Sequence, residues 1–138
     1  MWIATHGQQH ERALLAQRED ISPEVLERLI NDPDPVVIEQ LGSNFLLDPG
    51  QIDDIITRYP RLRLIFAHNK SASARLKGEL PILENSDANL YLFFLEVNAT
   101  VPEIRAIQAR RRAAWERKEA HDSPPTLWEV WLSVHSPR

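Results

Sequence analysis

Residues 36–44 read VVIEQLGSN and residues 61–69 read RLRLIFAHN; HERALLAQR occupies 10–18 upstream, and LYLFFLEVN occupies 90–98 downstream. Each stretch closes on a polar marker, Arg18, Asn44, Asn69 or Asn98, and the markers stand 26, 25 and 29 residues apart. A period in that range signals stacked helical units, none of which buries its own apolar face alone. Three positions before the marker stand Leu15, Leu41, Phe66 and Leu95, all large and apolar. Next come Ala16, Gly42, Ala67 and Glu96, small in the first three units, where a neighbouring helix can approach closely. Three positions after the marker, Ile21, Leu47, Ala72 and Val101 form a second apolar column. Columns at fixed register predict a core seam running from unit to unit.

Helix starts are written in the chemistry around this register. Ser22-Pro23, Asp34-Pro35 and Asp48-Pro49 each place a side-chain acceptor at the N-cap and proline at the first helical position, where its missing N–H costs nothing. Asp48 with Gln51, Thr100 with Glu103 and Thr126 with Glu129 have the spacing of capping boxes. Helices are therefore predicted at about 23–31, 35–42, 49–58, 60–68, 74–80, 88–96, 101–119 and 126–134. The polar loop Glu84-Asn85-Ser86-Asp87 absorbs the longer third step, so a bend or break in the array is expected there. His121-Asp122-Ser123-Pro124-Pro125 reads as a linker. Beyond it, Leu127, Val130, Trp131 and Val134 recur at helical spacing. That last helix is expected to fold back over the segment Leu90 to Leu95, which is apolar on every face, with partner binding as its alternative use.

The 138 residues suffice for one domain with a sizeable core. Zero cysteines exclude disulfides, thiolate metal sites and cysteine nucleophiles, and fit a cytoplasmic protein. The start Met-Trp-Ile-Ala-Thr-His-Gly is not read as a signal peptide, and the longest apolar run, LYLFFL, is far short of a membrane span. The net charge of −4 hides alternating blocks. Residues 55–78 hold Arg58, Arg61, Arg63, Lys70, Arg75 and Lys77 without an acid; residues 79–103 hold five acids and no base. Residues 105–118 then hold Arg105, Arg110, Arg111, Arg112, Arg117 and Lys118 against Glu116 alone. Such blocks either pair between neighbouring units or steer a charged partner.

Motifs for chemistry are weak. His6 and His10, at i and i+4 beside Glu11, have the spacing of two metal ligands on one helical face but are expected to be surface histidines, so no metal or cofactor is assigned. Asp53 and Asp54 are adjacent, so on a helix they point about 100° apart and make a poor acid–base pair. A catalytic His68 with either of them has no nucleophile or phosphate-binding glycine motif to support it. The asparagine column is read as scaffold: Asn at a helix end satisfies loose backbone groups and tolerates positive φ. On the wheel of the arginine-rich helix, Ile107, Ala114 and Trp115 share a side with Ile104, Arg111 and Lys118 lie at its edge, and the other charges surround the helix.

The unit L-A-x-R-x-x-I-S-P-E-V-L-E-R-L-I-x-D-P-D-P, clearest from Leu15 to Pro35 and traceable over residues 9–81, more loosely to about 107, resembles the leucine-rich repeat variant, a HEAT-like helical repeat found mostly in bacterial proteins. The second unit, Gly42 to Pro60, keeps the pattern; the third has Ser73-Ala74 where the proline stands, and the fourth is degenerate. The resemblance implies a right-handed superhelix that pairs an α-helix with a shorter, often 3₁₀, helix. An iron–sulfur cluster carried by some members is not transferred, because the chain has no cysteine. The expectation is thus an all-α chain: a short right-handed α-solenoid of about four helical pairs over residues 1–121 with a capping helix, then a linker and docked amphipathic helix over 122–138. Its expected role is non-enzymatic binding of another protein, in one version as an inhibitor or immunity-type protein. A nucleic-acid-binding module is the alternative. Arg61, Arg63, Arg105 and Arg112 are the candidate contact residues.

Overall fold

Each helix start marked by an N-cap and a following proline forms in the computed structural model, which describes residues 1–117 and 123–135. The side chains of Ser22, Asp34 and Asp48 accept from the backbone N–H of Val25, Val36 and Gln51. The three capping boxes, at Asp48, Thr100 and Thr126, are complete. Secondary structure among the described residues is helical throughout, apart from one isolated β-bridge between Pro81 and Thr126. The chain divides into two compact units, Met1–Ala72 and Ser73–Arg138. The division falls at the third unit's missing proline, before the loop at 84–87 where a break is expected.

The first unit contains α1 (Trp2–His6), α2 (Gln9–Ala16), α3 (Pro23–Ile30) and α4 (Pro35–Gln40), which tightens into a 3₁₀ turn at Leu41–Ser43. Then come α5 (Pro49–Arg58) and a 3₁₀ turn at Pro60–Leu62 leading into α6 (Arg63–Ala67). The register columns behave as predicted here. Leu41, Phe66, Leu47 and Ala72 are buried, as are the small residues Ala16, Gly42 and Ala67, while Leu15 and Ile21 are half-buried. Leu29 from α3 and Ile52 and Ile55 from α5 complete the apolar interior. Each such fully buried aliphatic side chain contributes about 1.5–3 kcal/mol of transfer free energy.

What ties one repeat to the next is a ladder of amides. Asn44 Nδ2 donates to the carbonyls of Ala16 and Arg18, each at 2.9 Å, and its Oδ1 accepts from the N–H of Leu46. One repeat later, Asn69 Nδ2 donates to Gly42 at 3.0 Å and Asn44 at 2.9 Å, and its Oδ1 accepts from Ser71 N–H. The acceptors are the same register positions moved along by one repeat. The asparagine column is therefore scaffold, as read from the sequence, by a different device from the one expected. Asn44 has φ −85°, and Asn98 is the only described non-glycine residue at positive φ, 55°.

The second unit contains α7 (Ala74–Lys77), a 3₁₀ turn at Ile82–Glu84, α8 (Asp87–Glu96), α9 (Val101–Glu116) and α10 (Leu127–Val134). Its core gathers Ile82, Leu90, Phe93, Phe94, Ile107, Leu127, Val130 and Trp131. Phe93 meets Trp128 and Trp131 edge-on, with ring centroids 6.4 and 6.1 Å apart. Backbone bonds fix the start of α10: Ile82 N–H donates to Pro125, Leu127 N–H to Leu80, and Trp128 N–H to Gly78. Gly78 allows a close approach here: a Cβ would stand 3.1 Å from Trp128 Cβ, and α10 would have to give by a few tenths of an ångström to admit it.

Here the fourth register fails. Leu95, expected in the core seam, is 60% exposed, and Val101, expected in the second column, is 59% exposed. Nor is α8 buried on every face: Tyr91 is 62% exposed and shares with Leu95 one solvent-facing side. The helix packs through Leu90, Phe93 and Phe94, against a core in which α10 supplies the aromatic partners. The predicted helix 74–80 stops at Lys77, and its C-cap Gly78 is shaped for α10. Lys118, His121 and Asp122, assigned above to the basic helix and the linker, lie outside the described residues, as does the end of the predicted helix at 119.

Candidate interaction surfaces

On α9, residues seven apart fall on nearly one line, drifting about 20° per step. Val101, Gln108 and Trp115 form such a line, and Trp115 is 58% exposed. Ile107 on another face is buried in the core, so Trp115 does not share its environment as the wheel suggested. Arg105 and Arg112 flank the line on one side and are exposed; Ile104 and Arg111 flank it on the other. Arg110 and Arg117 project from the opposite face, and Arg117 Nε turns back to the carbonyl of Ala113 at 3.3 Å.

Helix α9 packs on the 3₁₀ turn 82–84 and on α10. Two basins are lined by residues of α8 and α9. One, of 590 Å³, is lined by Leu83, Gln108, Arg112 and Trp115; the other, of 460 Å³, by Tyr91, Leu95, Asn98 and Ile104. Asp87, Gln108 and Arg111 border both, so the two basins adjoin in a groove between α8 and α9. Arg111 is held in place: Nη1 meets Asp87 Oδ1 at 2.7 Å and Nη2 donates to the Asn85 carbonyl at 2.9 Å. It braces the groove, with less freedom than Arg105 or Arg112 to reach a partner.

The four arginines singled out from the sequence separate accordingly. Arg112 lines the groove, and Arg105 stands on the same flank of α9 outside the lining. Arg61 is exposed in the 3₁₀ turn before α6, and Arg63, the first residue of α6, is half-buried; both belong to the first unit. That unit also leaves Leu14, Val36, Phe45, Leu64 and Ile65 exposed, on or next to the helices joined by the amide ladder. Lys70 Nζ sits 5.8 Å from the Phe45 ring centroid.

The remaining polar clusters are structural in geometry. His6 closes α1 and His10 lies in α2, separated by the extended turn at Gly7, so they do not share a helical face. No three of His, Asp and Glu converge as metal ligands among the described residues. Asp53 and Asp54 are exposed side by side on α5. Arg12 Nε pairs with the buried Asp32 at 2.8 Å, and that hydrogen bond raises the guanidinium pKa against the opposing effect of burial. In the second unit Lys77 is buried, and loss of hydration pushes its pKa down while Glu96 opposes the shift. His135 Nδ1 meets Glu103 Oε2 at 2.6 Å and stacks on Trp131 with ring centroids 4.4 Å apart.

Sequence reasoning missed Tyr91, Leu95, Gln108 and the exposure of Trp115. The seven-residue spacing of Val101, Gln108 and Trp115 was available, but polar Gln108 in its centre hides the line from an apolar-periodicity search.

In comparison with known families, the family model described as leucine rich repeat variant matches residues 10–34, from α2 through α3 to the cap of α4. This segment is the part of the chain where the repeat pattern is clearest. Comparison with curated proteins and with solved structures gave no match.

Proposed function

We propose that the chain is a non-enzymatic interaction module that binds another protein. Its first unit is read as a short α-solenoid of three in-register repeats, with the right-handed sense taken from the repeat that residues 10–34 match. The observation that carries the proposal is the set of large apolar and aromatic side chains left on the surface, Tyr91, Leu95 and Trp115 above all. Clustered exposed apolar surface marks an interaction site, and Trp, Tyr and Arg are the residue types that most often dominate binding energy. The repeat register itself is spent internally: Asn44, Asn69, Arg12 and Asp32 are all engaged in holding helices together. An inhibitory or immunity-type role is the specific version of this reading. Small size and banded charge support it.

The test is affinity capture from the native cell with chemical cross-linking and mass spectrometry. A stoichiometric protein partner cross-linked to the exposed surface supports the proposal. Capture of nucleic acid instead, with binding to generic duplex DNA that weakens steeply as salt rises and is abolished by Arg61→Glu with Arg63→Glu, overturns it in favour of a nucleic-acid-binding module.

A further inference from the structure

We infer that the groove between α8 and α9 receives an amphipathic helix of a partner protein, apolar along one face and carrying carboxylates along the edge that meets Arg105 and Arg112. This rests on the protein-binding reading and names the site and the chemistry of what it takes.

Three observations converge. The first is shape. The lining on α9 runs from Ile104 to Trp115 and that on α8 from Asp87 to Leu95 and on to Asn98. At 1.5 Å per residue the α9 wall is about 16 Å long, or three helical turns, and the helical part of the α8 wall, Asp87 to Leu95, about 12 Å. That is the length of a short helix laid in a groove and longer than a compact metabolite needs.

The second is lining chemistry. Tyr91 and Leu95 are one helical turn apart on one wall, and Trp115 stands towards the end of the other. Helix-in-groove recognition seats apolar residues at i, i+3 or i+4, and i+7, which asks for spaced apolar contacts along the groove. The two adjoining basins, which share Asp87, Gln108 and Arg111, supply that spacing.

The third is charge. Among the described residues, Arg105 and Arg112 make no ion pair. Asp87, the acid in the groove, already faces Arg111, and Glu116 stands at the outer edge beyond Arg112. The exposed cations on the flank are thus left for carboxylates from outside, which selects an acidic edge on the incoming helix and disfavours a basic one.

A displayed library of 16-residue peptides, with acidic, neutral and basic members equally represented, tests this on the full chain. Counter-selection uses the Tyr91→Ser, Leu95→Ser double variant, both positions being exposed. Enriched sequences are expected to carry apolar residues at helical spacing with Asp or Glu beside them. Arg105→Glu with Arg112→Glu is expected to weaken a selected synthetic peptide at least tenfold, whereas Arg110→Glu with Arg117→Glu on the opposite face changes affinity less than twofold. Circular dichroism of each variant separates a lost site from a lost fold. Enrichment of basic or uncharged peptides, no enrichment over counter-selection, displacement by duplex DNA, or a homodimer lost in the Tyr91→Ser, Leu95→Ser variant would each overturn the assignment. A native partner captured equally well by wild type and groove variants defeats the groove alone. Failure to capture any protein defeats the broader reading.

Discussion

Asn69 donates its side-chain amide to the backbone carbonyl of Asn44 at 2.9 Å, and Asn44 donates its own to the carbonyl of Arg18 at the same distance. Each amide also reaches a second carbonyl two residues earlier, at Gly42 and Ala16 respectively. Both asparagines are buried, so replacing either strands buried acceptors, the Ala16 carbonyl for Asn44 and the Gly42 and Asn44 carbonyls for Asn69.

Asn69→Ala is therefore expected to destabilise the chain by about 2–4 kcal/mol, the combined effect of lost hydrogen bonds and buried unsatisfied carbonyls. Asn69→Asp removes both donors and places carboxylate oxygens against two carbonyls, so it should be worse near neutral pH and partly recover in acid, where protonation restores one donor. Urea denaturation followed by circular dichroism measures both. If the Asn44→Ala, Asn69→Ala double variant loses the plain sum of the single effects, the rungs act independently; a smaller loss shows coupling through Asn44, which donates at one rung and accepts at the next.

Gly42 is the one glycine in its register column. A Cβ at this position would lie 2.7 Å from Ile65 Cγ2, whereas Ala16 and Ala67 occupy the equivalent positions of the neighbouring repeats. Gly42→Ala should cost about 1–3 kcal/mol through that overlap. Combining it with Ile65→Ala should recover most of the loss relative to Ile65→Ala alone. A Gly42→Ala melting temperature within one degree of wild type would show that Ile65, partly exposed, simply moves aside.

Within the segment that matches the repeat family, Arg12 on α2 and Asp32 after α3 close the unit on itself. Asp32 Oδ2 meets Arg12 Nε, while its Oδ1 accepts from Asp34 N–H at 2.9 Å; Arg12 Nη1 also donates to the Gly7 carbonyl at 2.7 Å. Because the carboxylate is buried, removing its cation leaves an uncompensated charge, and Arg12→Ala should lose about 3–5 kcal/mol. Asp32→Asn keeps the acceptor for Asp34 and should lose less. Chemical denaturation of the two variants side by side gives the ordering; equal losses would mean that breaking the pair from either side costs the same and that the uncompensated carboxylate adds nothing further.

How much of this was legible follows the distance over which each interaction acts. Helix starts at Ser22, Asp34 and Asp48 are local chemistry, complete within three or four residues, and all formed. The Asn44 and Asn69 column was visible through repetition, but its bonds reach back 25 to 28 residues, and no local rule distinguishes such an amide from a helix cap. Leu95 was misassigned because register was carried across the 29-residue step into a unit with another organiser: Phe93, ringed by Trp128 and Trp131, decides which side of α8 is buried. The groove was illegible for the same reason. Tyr91 and Trp115 line adjoining basins that share Asp87, Gln108 and Arg111, residues drawn from both α8 and α9, and no pattern within either helix shows that pairing. Of the arginines chosen from the sequence, only Arg105 and Arg112 flank the groove, because α9 alone did not show which side was occupied.

Lys77 gives the second unit an alkaline dependence whose sign is fixed by its burial. Loss of hydration lowers its folded-state pKa below the ordinary 10.5, with Glu96 opposing. Between the two values the unfolded chain binds a proton that the folded chain has released, so unfolding takes up a proton and stability rises with pH across that window. Below the folded-state pKa the ammonium is charged in both states, and this contribution becomes constant. The melting temperature of wild type minus that of Lys77→Met should therefore increase with pH on the alkaline side up to the ordinary 10.5, the subtraction removing the titration of exposed lysines and tyrosines common to both. Lys77→Met keeps the length of the buried stem and has no proton to release. A difference that stays flat, or falls, would mean that interactions with the ammonium, Glu96 among them, offset its dehydration in the folded chain.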